Sequence, residues 1–234
     1  MYRKKFHLIA GVIVLVSSCY ASASPEGAYV FIGGGGAYLP KSNLSNVTIT
    51  RTLLDPFTAN YAINYQLKNS FDYTGRLAFG YFFNHDYTKN HAFGLEAGFN
   101  YFGPIKNSIN SQLVVAPINK SFPVSSSINT TTWSTDLAGV YSHDIVNWRT
   151  SFLVKLGLGY EHMRQKITNT VVGLPGALPA SVVNKNTGLG VVGGVGLQYN
   201  ITHSVAMRIE FDGLKGERNV GYAQSLVGLT WSFS

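Results

Sequence analysis

Between residues 71 and 83 the chain alternates with a period of two. One parity reads Phe71, Tyr73, Gly75, Leu77, Phe79, Tyr81 and Phe83; the other reads Asp72, Thr74, Arg76, Ala78, Gly80 and Phe82. Successive side chains of a strand point to opposite faces, so the segment has one greasy face and one small, polar face. The same pattern predicts eight strands, at 28–38, 71–83, 91–102, 130–142, 149–162, 187–200, 204–214 and 220–233. In the first of them either parity is admissible around Gly33, Gly34, Gly35 and Gly36. The connections alternate between long (39–70, 103–129, 163–186) and short (84–90, 143–148, 201–203), with a brief 215–219 at the end. Such alternation fits an antiparallel up-and-down meander with loops at one end and turns at the other.

The greasy face is too continuous for a sheet that turns one side to water. Inside lipid an unpaired N–H or C=O has no water to turn to, so a spanning sheet must close until its first and last strands pair. The fold expected is therefore all-β: a closed antiparallel eight-stranded transmembrane barrel, its interior just wide enough for side chains to fill. The outward aromatics sort by depth. Tyr81, Phe83, Phe93, Tyr141, Phe152, Tyr199, Trp231 and Phe233 fall at the turn end, and Tyr73, Phe99, Tyr101, Trp133, Tyr160 and Phe211 at the loop end. Leu77, Leu95, Leu137, Leu156, Val195 and Leu229 lie between them, as two interfacial girdles around an apolar band require. Gly157, Gly159, Gly188, Gly190, Gly194 and Gly196 are expected on the crowded inner face or at bends.

The N-terminus carries Arg3, Lys4 and Lys5, an apolar run at 8–16 and an Ala21-Ser22-Ala23 cleavage site. This is the pattern of a secretory signal peptide, about half as long as the roughly 20 apolar residues of a membrane anchor. The expected organisation is a signal at 1–23 and a barrel domain at 24–234. An alternative is lipidation of Cys19 within Val16-Ser17-Ser18-Cys19; with cleavage after Ala23 the mature chain has no cysteine, hence no disulfide and no thiolate metal site. Composition agrees. Of 234 residues only 12% are charged and 45% are apolar, which excludes a disordered chain, and 25 glycines disfavour a helical bundle.

The chain resembles the small eight-stranded outer-membrane barrels of the OmpA and OmpX type over essentially its whole mature length. Gly228, Trp231 and Phe233 resemble that family's terminal signal of glycine followed by spaced aromatics, which implies recognition by the barrel-assembly machinery. Leu226 departs from it, standing where the family prefers a polar residue, and Ser234 follows the usual terminal aromatic. The resemblance implies an integral outer-membrane protein of a Gram-negative cell, in contact with outer-membrane lipid and lipopolysaccharide. The peptidoglycan-binding domain that some relatives append is not matched, so that role is not implied.

On the polar parity Arg76, Glu96, Asp136 and Lys155 fall about halfway along four consecutive strands. A charge buried among small residues is costly unless paired, so these are expected to meet in the lumen, with Arg208, Glu210 and Asp212 as further members. The arrangement is similar to the core salt bridges of the OmpA type, which make a plug rather than a pore; a water-filled gap is the alternative. The loop side carries Lys41, Arg51, Lys68, Lys106, Lys120, Arg164, Lys166, Lys185, Lys215 and Arg218 against only Asp55 and Glu217. The formal charge is +7, three of it from the leader. A basic surface attracts polyanions, so lipopolysaccharide phosphates or acidic glycans of a host surface are the expected partners, in adhesion or envelope integrity; no nucleic-acid partner is expected.

Two rival classes stand beside this scaffold reading: a small-solute pore, and a lipid-modifying enzyme using His162 with a loop serine. No local signature places a serine, a histidine and an orienting group together, so the chain is not read as an enzyme. Gly188-Leu189-Gly190-Val191-Val192-Gly193 matches a dinucleotide fingerprint, which has meaning only between a strand and a helix. His85-Asp86 and His143-Asp144 fall in turns, and neither a cofactor nor a metal ligand set is indicated. The segments 103–129 and 163–186 are rich in Asn, Ser, Thr and Val; alternation at Val47-Thr48-Ile49-Thr50 and Val182-Val183 hints that strands extend above the membrane.

Overall fold

The computed structural model describes residues 27–39, 47–54, 57–63, 70–86, 90–115, 120–146, 149–171, 180–216 and 221–233. The expected signal at 1–23, with Cys19, lies outside the described residues, as do Lys41, Lys68 and Arg218. The strands are β1 (Gly27–Leu39), β2 (Val47–Leu54), β3 (Phe57–Ile63), β4 (Ser70–Asp86), β5 (His91–Val115), β6 (Lys120–Val146), β7 (Thr150–Val171), β8 (Ala180–Asn200), β9 (Val205–Gly216) and β10 (Gly221–Phe233). Eight of them close in the order β1-β10-β9-β8-β7-β6-β5-β4, while β2 and β3 form a separate hairpin inserted between β1 and β4. All pairs are antiparallel, and the seam joins Ala28 to Phe233 and Tyr38 to Ala223. Closure leaves no free ladder edge in the ring, which is what a sheet in lipid requires.

Side-chain parity follows the alternation in the sequence. Phe71, Tyr73, Leu77, Phe79, Tyr81 and Phe83 are exposed on the outside of β4, while Thr74, Arg76 and Ala78 are buried within the ring. The first strand resolves its two admissible parities: Tyr29 and Phe31 point inward and are buried, and Ile32 is exposed. The inner face forces this, because Gly35 lies opposite Leu226, and a Cβ on it would run into the Ser225 backbone. The interfacial aromatics group as expected. Trp133 stacks on Phe99 at 6.2 Å and on His162 at 5.1 Å near the loop end, and Phe93 meets Tyr141 at 5.1 Å near the turn end.

The turn end is held by short backbone bonds. Asn90 takes φ 54°, a left-handed value that asparagine tolerates, and its carbonyl accepts from the Asp144 amide at 2.9 Å. Between β8 and β9 the Thr202 hydroxyl accepts from the amides of Ser204 and Val205 at 3.3 and 3.0 Å. The loop end carries more strand than the eight predicted segments, in the sense that the alternation at Val182-Val183 hints. Much of 103–129 and 163–186 continues as strand, so that β5, β6, β7 and β8 rise past the ring with Lys106 opposite Asn129 and Asn129 opposite Lys166. In the extension the outward residues Ser125, Ser127, Asn129, Arg164 and Lys166 are exposed and polar, while Ser126, Ile128, Thr130 and Ile167 face inward, buried. A face in water needs no grease, so the signal that marked the lower strands stops where the strands leave the apolar band.

Candidate functional site

The inner face of the ring carries long charged side chains among glycines. Gly98 lies opposite Asp136, and a Cβ there would sit 2.6 Å from the Arg76 guanidinium carbon. Gly194 lies opposite both Lys155 and Asp212, and a Cβ there would sit 2.8 Å from Lys155 Cε. Missing side chains at these two positions are what let Arg76 and Lys155 cross the lumen. Arg76 grips Asp136 with both terminal nitrogens, at 2.7 and 2.8 Å, and donates to Glu96 at 2.8 Å and to Asn100 Oδ1 at 3.0 Å. Such fork-shaped pairing is the strong form of a charged hydrogen bond.

From the opposite wall Lys155 donates to Asp212 at 2.7 Å and to Glu210 at 3.4 Å, and lies 3.6 Å from Glu96. Arg208 joins Glu96 at 2.9 Å, pairs with Glu210 and lies 5.0 Å above the centre of the Phe31 ring. The structure thus brings Arg76, Glu96, Asp136, Lys155, Arg208, Glu210 and Asp212 into one buried network. Neutral groups complete it: the Tyr29 hydroxyl donates to Glu96 at 2.9 Å, Asn100 donates to Asp136 at 3.0 Å, and Gln224 donates to Asn100 at 2.8 Å. Sequence reasoning missed these. Inward parity was the available signal for Asn100 and Gln224, whereas Tyr29 was hidden by the two readings of β1.

Apolar side chains cap the charges on the loop side and pack among them. On the loop side Ala37, Phe102, Val192, Leu214 and Tyr222 form a buried belt, with Phe102 and Tyr222 rings 4.7 Å apart. Phe31, Ala78 and Leu226 form a second buried cluster at the level of the charges, with the Phe31 ring against Arg208 and Leu226 paired with Glu210. Leu226, the residue at odds with the terminal pattern, therefore packs inside this cluster. Of the other three positions in that pattern, Trp231 pairs with Val30 and Phe233 with Ala28 at the seam, while Gly228 abuts Gly33. Among the described residues no group of three or more His, Cys, Asp or Glu side chains is arranged to hold a metal ion.

The basic positions assemble on the outer face of the extension. Arg164 on β7 lies directly opposite Lys185 on β8, and Lys166, two residues on, shares a cross-strand row with Asn129 and Lys106. Lys106, Arg164, Lys166 and Lys185 are all exposed, immediately beyond the ring of Trp133, Tyr160 and His162. Lys215 is exposed on β9, away from this group, while Arg51 lies on β2 and Lys120 at the start of β6. His162 is committed to the outward aromatic stack with Trp133, His143 stacks on Tyr141 at 6.4 Å, and Asp144 accepts from Ser151 at 2.6 Å. The run from Gly188 to Gly193 lies within strand β8, with no helix after it, so it does not form a dinucleotide-binding turn.

No curated protein matches the chain. Among solved structures it is similar to Ail, the attachment invasion locus protein of Yersinia pestis, in complex with the heparin analogue sucrose octasulfate, at 16% identity over 88% of this chain and 99% of that one, TM-score 0.44. It is similar to the N-terminal β-barrel domain of Pseudomonas aeruginosa OprF, at 13% identity over 89% and 98%, TM-score 0.46. It is also similar to Neisserial surface protein A, at 16% identity over 88% and 97%, TM-score 0.42. The family model described as the outer membrane protein beta-barrel domain matches residues 9–233. With that match across nearly all of its length and a closed ring of eight antiparallel strands, the chain belongs to the outer membrane protein beta-barrel family and is an integral protein of the outer membrane.

Proposed function

We propose that the protein is a plugged scaffold whose basic outer face holds phosphate groups of the lipopolysaccharide around it, serving envelope integrity. The observation that carries this is the outward group of Lys106 on β5, Arg164 and Lys166 on β7 and Lys185 on β8, with Asn129 of β6 in the row between. Like charges set directly across a ladder destabilise it unless a counter-charge lies over them. Their depth selects the counter-charge: they begin where the interfacial aromatics end, at the level of lipid headgroups rather than far out in solvent. Arginine and lysine together suit phosphate, by fork and by point charge. The lumen supports the scaffold part of the reading, since paired charges packed beside Phe31, Ala78 and Leu226 and capped by an apolar belt leave little room for solute. Gly228, Trp231 and Phe233 at the barrel seam are proposed as the assembly signal.

The test is binding of the folded barrel to vesicles containing lipopolysaccharide with and without its phosphates. Removing a cation near an anionic surface should weaken binding about fivefold, from roughly 1 kcal/mol per residue. The pair of changes Arg164→Gln and Lys185→Gln should therefore weaken it more than tenfold, by about 25-fold if the two terms add, and added salt should weaken wild-type binding. Unchanged affinity in that variant, or retention indifferent to salt, overturns the reading. Preference for heparin over lipopolysaccharide would instead assign the same face to acidic host glycans.

A further inference from the structure

We propose that the loop-side half of the lumen contains a site for a small inorganic cation, anchored by Glu161. Glu161 is on β7, faces inward and is 0% exposed, and neither carboxylate oxygen has a hydrogen-bond partner. It stands opposite Ser134 on β6 and Gly188 on β8. Thr132 and Thr130 follow Ser134 outward along the same inner face of β6, at 1% and 3% exposure. Their hydroxyls are likewise without partners. One acid and two hydroxyls, all buried and all unsatisfied, thus share one stretch of wall.

Among the described residues the buried cations of the lumen are already committed. Arg76, Lys155 and Arg208 are engaged with Glu96, Asp136, Glu210 and Asp212. That network holds one more acid than base, so its residual field draws a cation and repels an anion. The belt of Ala37, Phe102, Val192, Leu214 and Tyr222 stands between it and Glu161. Nearby polar groups are already occupied: Ser134 accepts from Asn100 at 3.1 Å and donates to Tyr222 at 3.3 Å, and the Gln165 amide donates to the Met163 sulfur at 3.4 Å. A buried carboxylate without a partner is expensive, and a cation from outside the chain removes the penalty. A donor set of oxygens alone favours hard ions such as sodium, magnesium or calcium over zinc or copper. Gly188 carries no side chain that would fill the space beside the carboxylate.

The experiment uses the folded full-length mature barrel in detergent. Calcium is titrated calorimetrically, and sodium is followed by its nuclear resonance linewidth. For at least one of the two ions, wild type should show a single saturable site, absent from Glu161→Gln and roughly tenfold weaker in Thr132→Val, which keeps the shape and removes one ligand. Heat-modifiable gel migration checks that each variant is folded; should Glu161→Gln not fold, Thr132→Val alone decides. Absence of binding by either ion, equal binding in the variants, or an infrared band of a protonated carboxyl in wild type at neutral pH that Glu161→Gln removes, overturns the proposal.

Discussion

Arg76 shows what a single residue does in this lumen. Its guanidinium ties β4 to β5 and β6 through Glu96 and Asp136, and it fits only because Gly98 offers no Cβ. Arg76→Met would leave Asp136 buried without its cation while Glu96 keeps Arg208, and the expected loss is about 3–5 kcal/mol in urea unfolding from phospholipid vesicles. Replacing Asp136 by leucine in the same chain should restore part of it, since fewer unpaired charges remain. On the opposite face the solvent changes the rule. Leu156, 68% exposed, neighbours Lys155 in sequence yet points into the apolar band. Leu156→Arg should cost roughly 2–4 kcal/mol by the same measurement, because an arginine at the midplane meets lipid instead of a carboxylate.

At the scale of elements, the extension of β5 to β8 is the feature with most consequence. It turns residues scattered through two predicted loops into one ladder, with Arg164 against Lys185 and Lys106 in line with Lys166. If these are strands, the backbone amides of 105–113, 124–130, 163–169 and 182–187 should exchange slowly with deuterium in detergent, nearly as slowly as those of the ring. Rapid exchange throughout would return them to loops and dissolve the ordered basic face. Lys185→Glu supplies a complementary measurement. By pairing with Arg164 it should slow exchange locally while lowering the affinity for phosphate-bearing vesicles.

For the whole molecule, closure and plugging are distinct properties with distinct readouts. Closure rests on the β1–β10 seam, so removing residues 221–234 should abolish heat-modifiable migration. Plugging rests on what fills the ring: an apolar belt above the ion pairs, and the cluster of Phe31, Ala78 and Leu226 beside them. Wild-type barrel in planar bilayers should therefore show no large, steady conductance. A pore would be expected to pass ions without any change to Arg76 or Lys155, and such a result would replace the plug with a channel.

The period-two alternation by itself determined the ring: eight strands, their greasy faces, the aromatic depths and the inward placement of Arg76, Glu96, Asp136 and Lys155, because lipid outside and crowding inside act on every residue locally. Only the tertiary structure decided what depends on the neighbouring strand. It chose the inward parity of Tyr29 and Phe31, set Leu226 against Phe31 and Ala78 and left Glu161 without a partner. It also carried β5 to β8 beyond the band, where water on the outer face erases the apolar signal while cross-strand hydrogen bonds continue the ladder. Alternation states which way a side chain points; register, which no single strand contains, states what it meets there.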